Sequence, residues 1–153
     1  MRVKKIISGG QSGVDRMGLE VGKELGLQTG GAAPKNYNTE FGFDFTLIEF
    51  GLKASESTSY KDRTLQNIIN SNGTVLFGDV SSSGSQLTTN LCKTHQKPII
   101  INPSVEQMVE WLTINEIVIL NVAGNRRSRI TWQKLKESKE VLLTAINIQN
   151  ERT

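Results

Sequence analysis

Cysteine, histidine and proline are scarce in this chain: of 153 residues, one is Cys, one is His and three are Pro. A single thiol, Cys92, cannot form an internal disulfide and fits a reducing compartment. With Cys92 and His95 the only residues of their types, clustered zinc ligands are lacking and no metal site is expected. Both fall in one predicted helix, Cys92 as a core residue and His95 as a structural or exposed one. No apolar run approaches the ~20 residues of a membrane span. The start, Met1-Arg2-Val3-Lys4-Lys5, is basic, but the apolar run behind it is too short for a signal peptide. Net charge is only +3, and Lys and Arg are scattered, which favours a small anion over nucleic acid as partner. The expectation is one cytoplasmic domain over residues 1–153, large enough to bury a core and without membrane contact.

What is present concentrates in Ile6-Ile7-Ser8-Gly9-Gly10-Gln11-Ser12-Gly13-Val14-Asp15-Arg16, where an apolar run gives way to small residues and restarts with helical spacing. That is a strand, a glycine turn and a helix start. Glycine lets the backbone bend where a Cβ forbids it and lets bare N–H groups touch an anion, and the helix adds roughly +0.5 charge at its N-terminus. A phosphate or similar oxyanion suits the amides of Gly10 to Gly13 and the side chains of Gln11 and Ser12. Glycine that only tightens packing gives the same pattern. Asp15, in the first turn, is a cap, an acceptor for a ligand hydroxyl or a catalytic base.

Three further apolar runs are β-branched and unbroken: Thr74-Val75-Leu76-Phe77, Pro98-Ile99-Ile100-Ile101 and Ile117-Val118-Ile119-Leu120-Asn121-Val122. Such runs fit strands covered on both faces of a parallel sheet. Helical patterns lie between them. The first buries Val14, Met17, Val21 and Leu25 and stops at Gly26; the second is capped by Ser59 with Asp62 and faces Leu65, Ile68 and Ile69 inward. Ser104 and Gln107 form a capping box, and a last helix from about Thr131 to Gln149 buries Trp132, Leu135, Leu142 and Ile146. With one more strand around Leu27 to Ala33, the alternation predicts a doubly wound α/β fold, a mostly parallel sheet of about five strands between helical layers. Residues 30–59 carry Gly, Pro, Asn and isolated aromatics without a period, apart from a candidate strand near Leu47 to Phe50. A loop this long reads as a lid or wall of a site, or as an interface for a second subunit.

In open parallel sheets, ligands bind at the carboxyl ends of the strands. Three such ends are chemically rich here: Ser8 to Gly13; Gly78-Asp79-Val80-Ser81-Ser82-Ser83-Gly84-Ser85-Gln86; and Asn121-Val122-Ala123-Gly124-Asn125-Arg126-Arg127-Ser128. Hydroxyl and amide cradles beside arginines describe a site for a phosphorylated or nucleotide-like ligand. Candidate ligand-binding residues are Gly9, Gly10, Gln11, Ser12, Gly13, Gly78, Asp79, Ser83, Gly84, Ser85, Thr88, Asn121, Gly124 and Arg126.

Ser8 to Arg16, Pro34-Lys35, Tyr60-Lys61-Asp62-Arg63-Thr64-Leu65-Gln66-Asn67, Gly84-Ser85-Gln86-Leu87-Thr88, Lys97-Pro98 and Asn121 to Gly124 resemble, in order, the circularly permuted YpsA-related branch of the SLOG superfamily. That family carries the label of molybdenum carrier and is related to the lysine-decarboxylase-like LOG proteins. The resemblance implies a single-domain Rossmann-like three-layer sandwich, a nucleotide or molybdenum cofactor as ligand, and a homo-oligomer, dimer or tetramer. It also implies that Arg63 and Asn67 face the site from the second helix and Lys35 from the long loop. The sequence departs from the pattern with Asn36-Tyr37 after Pro34-Lys35, where glycine and arginine are expected, and with Asn125 where proline follows Gly124.

Related cytokinin-activating phosphoribohydrolases use a glutamate whose place here is Thr88, which supplies no carboxylate for acid–base work. Asp15 or Asp79 is the substitute the sequence offers, with Arg63 beside it. Three readings follow, in order: binding of a phosphorylated small ligand, hydrolysis of a nucleotide N-glycosidic bond with Asp15 and Arg63 as catalytic residues, and binding of single-stranded nucleic acid. The last rests on a similar glycine turn in DNA-processing proteins, but the concentrated basic surface they use is lacking.

Overall fold

The computed structural model describes residues 1–152. Strand β1 (Lys5–Ile7) leads through the glycine turn into α1 (Val14–Glu24) and back to β2 (Gln28–Ala33). Next come a short hairpin of β3 (Asn38–Thr39) and β4 (Gly42–Phe43), then β5 (Leu52–Ala54) and α2 (Tyr60–Ile69). Then β6 (Gly73–Phe77), α3 (Ser83–Thr94), β7 (Ile99–Ile101), α4 (Val105–Ile114), β8 (Ile119–Gly124) and α5 (Trp132–Arg152) complete the fold. The main sheet runs β5-β2-β1-β8-β6-β7, and every pairing in it is parallel. It has six strands rather than about five, the sixth being β5 inside the segment 30–59.

The helices cover both faces, as continuous apolar strands require: every residue of β6 is buried. On one side Val14, Met17 and Val21 of α1 join Met108 and Leu112 of α4 and Leu142 and Ile146 of α5. On the other, Ile68 of α2 packs with Leu91 and Cys92 of α3. Full burial of each large aliphatic side chain stabilises by about 1.5–3 kcal/mol. Local signals act as the sequence implies: Gly26 takes φ +72° behind α1, and Ser104 and Gln107 close a reciprocal capping box on α4.

Three expectations are corrected. Residues 45–48 form a 3-10 turn, not a strand, because Leu47 and Phe50, three apart, bury one face against Leu19, Ala33 and Leu52. Trp132 is 72% exposed because it begins α5 beyond the core; its ring lies against Arg127, 3.8 Å from the guanidinium carbon. Ile69, the last residue of α2, is 47% exposed.

Candidate functional site

Strands β1, β6 and β8 are neighbours through β8, and their carboxyl ends open into a cleft of about 780 Å³. Gln11 and Asp15 line it from the β1–α1 side, Asp79, Ser83, Gly84 and Ser85 from β6–α3, and Gly124 and Arg126 from β8–α5. A polar recess of about 30 Å³ continues inward, lined by Gly9, Asn67, Thr88 and Asn121. Asp15, Arg63, Gly84, Ser85 and Gly124 line both spaces. Most of the residues expected from the sequence are thus together. Gly10, Ser12, Gly13, Lys35 and Gly78 line neither, and Lys35 is exposed.

The reason lies in the glycines and in the turn's own hydrogen bonds. A Cβ on Gly10 would stand 2.7 Å from Leu52 Cδ2, and one on Gly13 would stand 2.5 Å from the Asn125 carbonyl. Both residues have positive φ, so these are packing glycines that let the loops touch. The amide of Gly10 donates to Ser8 Oγ (3.2 Å), that of Gln11 to Asp15 Oδ2 (3.2 Å) and that of Ser12 to Gln11 Oε1 (3.0 Å). These three amides are therefore satisfied by acceptors within the chain, one of them the Asp15 carboxyl. Asn125 explains its own departure from the family pattern: its side chain accepts from the Asp79 amide (2.5 Å) and donates to Ser82 Oγ (3.3 Å), tying two loops together.

Gly9 and Gly84 are different, because the space beside them belongs to the site. A Cβ on Gly9 would lie 3.0 Å from Asp15 Oδ2, 3.7 Å from Arg63 Nε and 3.8 Å from Asn67 Nδ2, so three side chains from α1 and α2 converge there. On Gly84 it would meet the Tyr60 hydroxyl at 2.9 Å. Tyr60, Arg63, Thr64 and Asn67 share one face of α2, at helical spacing. Asn67 is committed to β2: it accepts the Ala32 amide at 2.8 Å and donates to the Ala32 carbonyl at 3.1 Å. Arg63 stacks on Tyr60, 4.5 Å from the ring centroid, and among the described residues its guanidinium meets no hydrogen-bond acceptor. Ser85, 4% exposed, likewise leaves its hydroxyl without a protein partner among the described residues. A partly buried guanidinium with open donors is what a phosphate or carboxylate requires.

Burial pushes the Asp15 carboxyl up to about 7, against the Gln11 amide and the charge of Arg63, which favour the ionised form. Burial and the charge of Asp15 also raise the Tyr60 hydroxyl. Asp79 goes the other way, held low by the hydroxyl and amide of Ser81. Asp15, not Asp79, is thus the group able to exchange a proton near neutrality. Thr88 uses its hydroxyl on the Gly84 carbonyl (3.0 Å) and brings no charge.

The segment 30–59 lines neither space; it meets the lining residues through Ala32 on Asn67 and through Glu40, which accepts from Ser12 Oγ (2.5 Å) and pairs with Arg126 (3.4 Å). Tyr60, Ser82, Leu87 and Arg129 line the cleft without having been singled out as site residues. Ser82 stands in the hydroxyl-rich end of β6, Leu87 in the Gly84–Thr88 motif and Tyr60 one helical turn before Arg63, whereas Arg129 had no such signal. Among the described residues no group of three or more His, Cys, Asp or Glu is placed to hold a metal ion, and no helix is long and apolar enough to cross a membrane.

The sequence matches the circularly permutated YpsA SLOG family over residues 6–146. The chain belongs to that family. This SLOG protein is similar to the crystal structure of a "Putative molybdenum carrier protein" from Syntrophus aciditrophicus SB, with 28% identity, 94% of each chain covered and a TM-score of 0.82. It shares 12% identity and a TM-score of 0.41 with an (E)-4-hydroxy-3-methyl-but-2-enyl diphosphate reductase, over 92% of this chain and 59% of that one. The corresponding figures for a Plasmodium falciparum diphosphate reductase are 11%, 0.36, 94% and 55%. No functionally curated protein matches the SLOG chain.

Proposed function

We propose that the cleft at the ends of β1, β6 and β8 binds a phosphorylated small molecule of nucleotide type inside the cell. The observation that carries this reading is Arg63, a partly buried guanidinium held against Tyr60 with its donors turned to no acceptor among the described residues. Arg63, with Arg126 and Arg129 on the rim, meets the anionic group, while Ser85 and Asp15 meet a hydroxyl. A molybdenum cargo is held the same way, as molybdate or through the phosphate of a pterin cofactor, since arginine and serine suit oxyanion oxygens rather than a metal cation. Calorimetry with AMP, ADP, ribose 5-phosphate and molybdate tests the reading. The expected outcome is binding of at least one phosphorylated compound that weakens at least about tenfold in Arg63→Ala. Equal affinity in the variant refutes it.

A second reading, hydrolysis of a nucleotide N-glycosidic bond, is favoured by the Asp15 carboxyl near pH 7. A carboxyl poised there can give a proton to a departing base or take one from an attacking water. If AMP is turned over, Asp15→Asn is expected to lower kcat by about 10²–10⁴, whereas unchanged turnover assigns the proton transfer elsewhere. The homo-oligomer implied by the family would find an apolar face in Phe41, Phe43, Phe45 and Ile48, each more than half exposed. Native mass spectrometry reads it directly.

A further inference from the structure

Glu40, at the turn between β3 and β4, collects an uncommon set of donors for a surface carboxylate. Ser12 Oγ donates at 2.5 Å, the Ser128 amide at 3.0 Å and Ser128 Oγ at 2.5 Å, with Arg126 Nε at 3.4 Å. Its side chain is only 12% exposed, and these bonds together outweigh its burial and hold its carboxyl below the usual range. Two hydroxyls, a main-chain N–H and a guanidinium from two separate loops form an oxyanion site, and the chain fills it with its own carboxylate.

This site is wired to the cleft. Arg126 lines the cleft, and so does Gln11, whose Oε1 accepts the Glu40 amide at 2.9 Å. The hairpin beyond Glu40 is thinly held: Phe41 and Phe43 are 71% and 64% exposed. Its base is strained, because Asn36 and Tyr37 both take φ +58°, where the family pattern has glycine at the first position. Asparagine tolerates this conformation; tyrosine does so at a cost. A hairpin strained at its base and fastened at its tip by the Glu40 carboxylate, with the Glu40 amide on Gln11, loosens when that carboxylate loses Arg126.

We propose that Glu40 is a built-in competitor for the anion of the ligand: an oxyanion entering the cleft draws Arg126 from Glu40 and releases the hairpin 38–43. The proposal rests on the cleft binding a phosphorylated ligand and adds how occupancy is read out at the surface. Hydrogen–deuterium exchange on the full chain, with and without inorganic pyrophosphate, tests it beside calorimetry. Pyrophosphate is expected to speed exchange of residues 38–43 in the wild type. Glu40→Gln is expected to speed it without ligand and to bind pyrophosphate about three- to tenfold more tightly. Ser128→Ala, outside the cleft, is expected to act in the same direction more weakly. Pyrophosphate binding with unchanged exchange at 38–43, or weaker binding by Glu40→Gln, overturns the latch and leaves the cleft reading standing. Failure of both proteins to bind any of pyrophosphate, AMP, ADP and ribose 5-phosphate overturns the cleft reading and the latch with it.

Discussion

Burial raises the Asp15 carboxyl far above its ordinary range, and the consequence for stability has a definite sign. Its carboxyl titrates at about 7 in the folded chain against 3.8 for the free group, so the folded state holds the proton more tightly. Below 3.8 both states are protonated and the group favours neither. Stability is lost as pH rises from there to about 7, and above that the full penalty of an ionised, poorly hydrated carboxylate is present. Asp15→Asn removes the charge while keeping an oxygen for the Gln11 amide. The variant should therefore melt at least about 3 °C above the wild type at alkaline pH, with the gap shrinking towards acid pH. A gap that does not change with pH would mean that the carboxyl titrates at its ordinary value.

The glycines divide at the same scale. Gly13→Ala and Gly124→Ala drive a Cβ into backbone or into Val14, and each should cost about 2 kcal/mol or more in chemical denaturation. Gly84→Ala meets only the tip of Tyr60 and should leave stability nearly unchanged while altering ligand affinity. Sequence alone could not make this division, because a glycine that admits a neighbouring loop and one that borders a site are the same letter in the same turn. Glu40 was equally illegible, with partners 28 and 88 residues away.

At the scale of elements, α2 links the site to the sheet. Its cleft face presents Tyr60 and Arg63, and one turn further Asn67 grips both polar groups of Ala32 in β2. Asn67→Ala leaves a buried amide and carbonyl unmatched and should destabilise by about 2–4 kcal/mol in urea; a smaller loss would mean that α2 is held by its apolar face alone. Strands β1, β2, β6, β7 and β8, the capped starts of α2 and α4 and the end of α1 were legible, because period and caps are local signals. The end of α2 and the start of α5 were not: Ile69 and Trp132 continue the apolar period past the point where a neighbouring layer covers it. The segment 30–59 misled for another reason. Its Leu47, Phe50 and Leu52 form a small core with Leu19 of α1, with spacings of three and two that resemble neither a strand nor a long helix.

For the whole molecule, topology puts the cleft where it is. From β1 the chain moves outward through β2 to β5, and later crosses to β6 and β7 before β8 inserts beside β1. The order thus reverses at β1 and β8, and their carboxyl ends diverge into an opening that three separate loops can line. The most direct measurement is an amide chemical-shift map of the whole chain titrated with AMP. The account predicts saturable shifts that cluster at Gly9, Asp15, Arg63, Ser85 and Gly124. Saturable shifts confined to other surfaces, such as α4 and the end of α5, would contradict it.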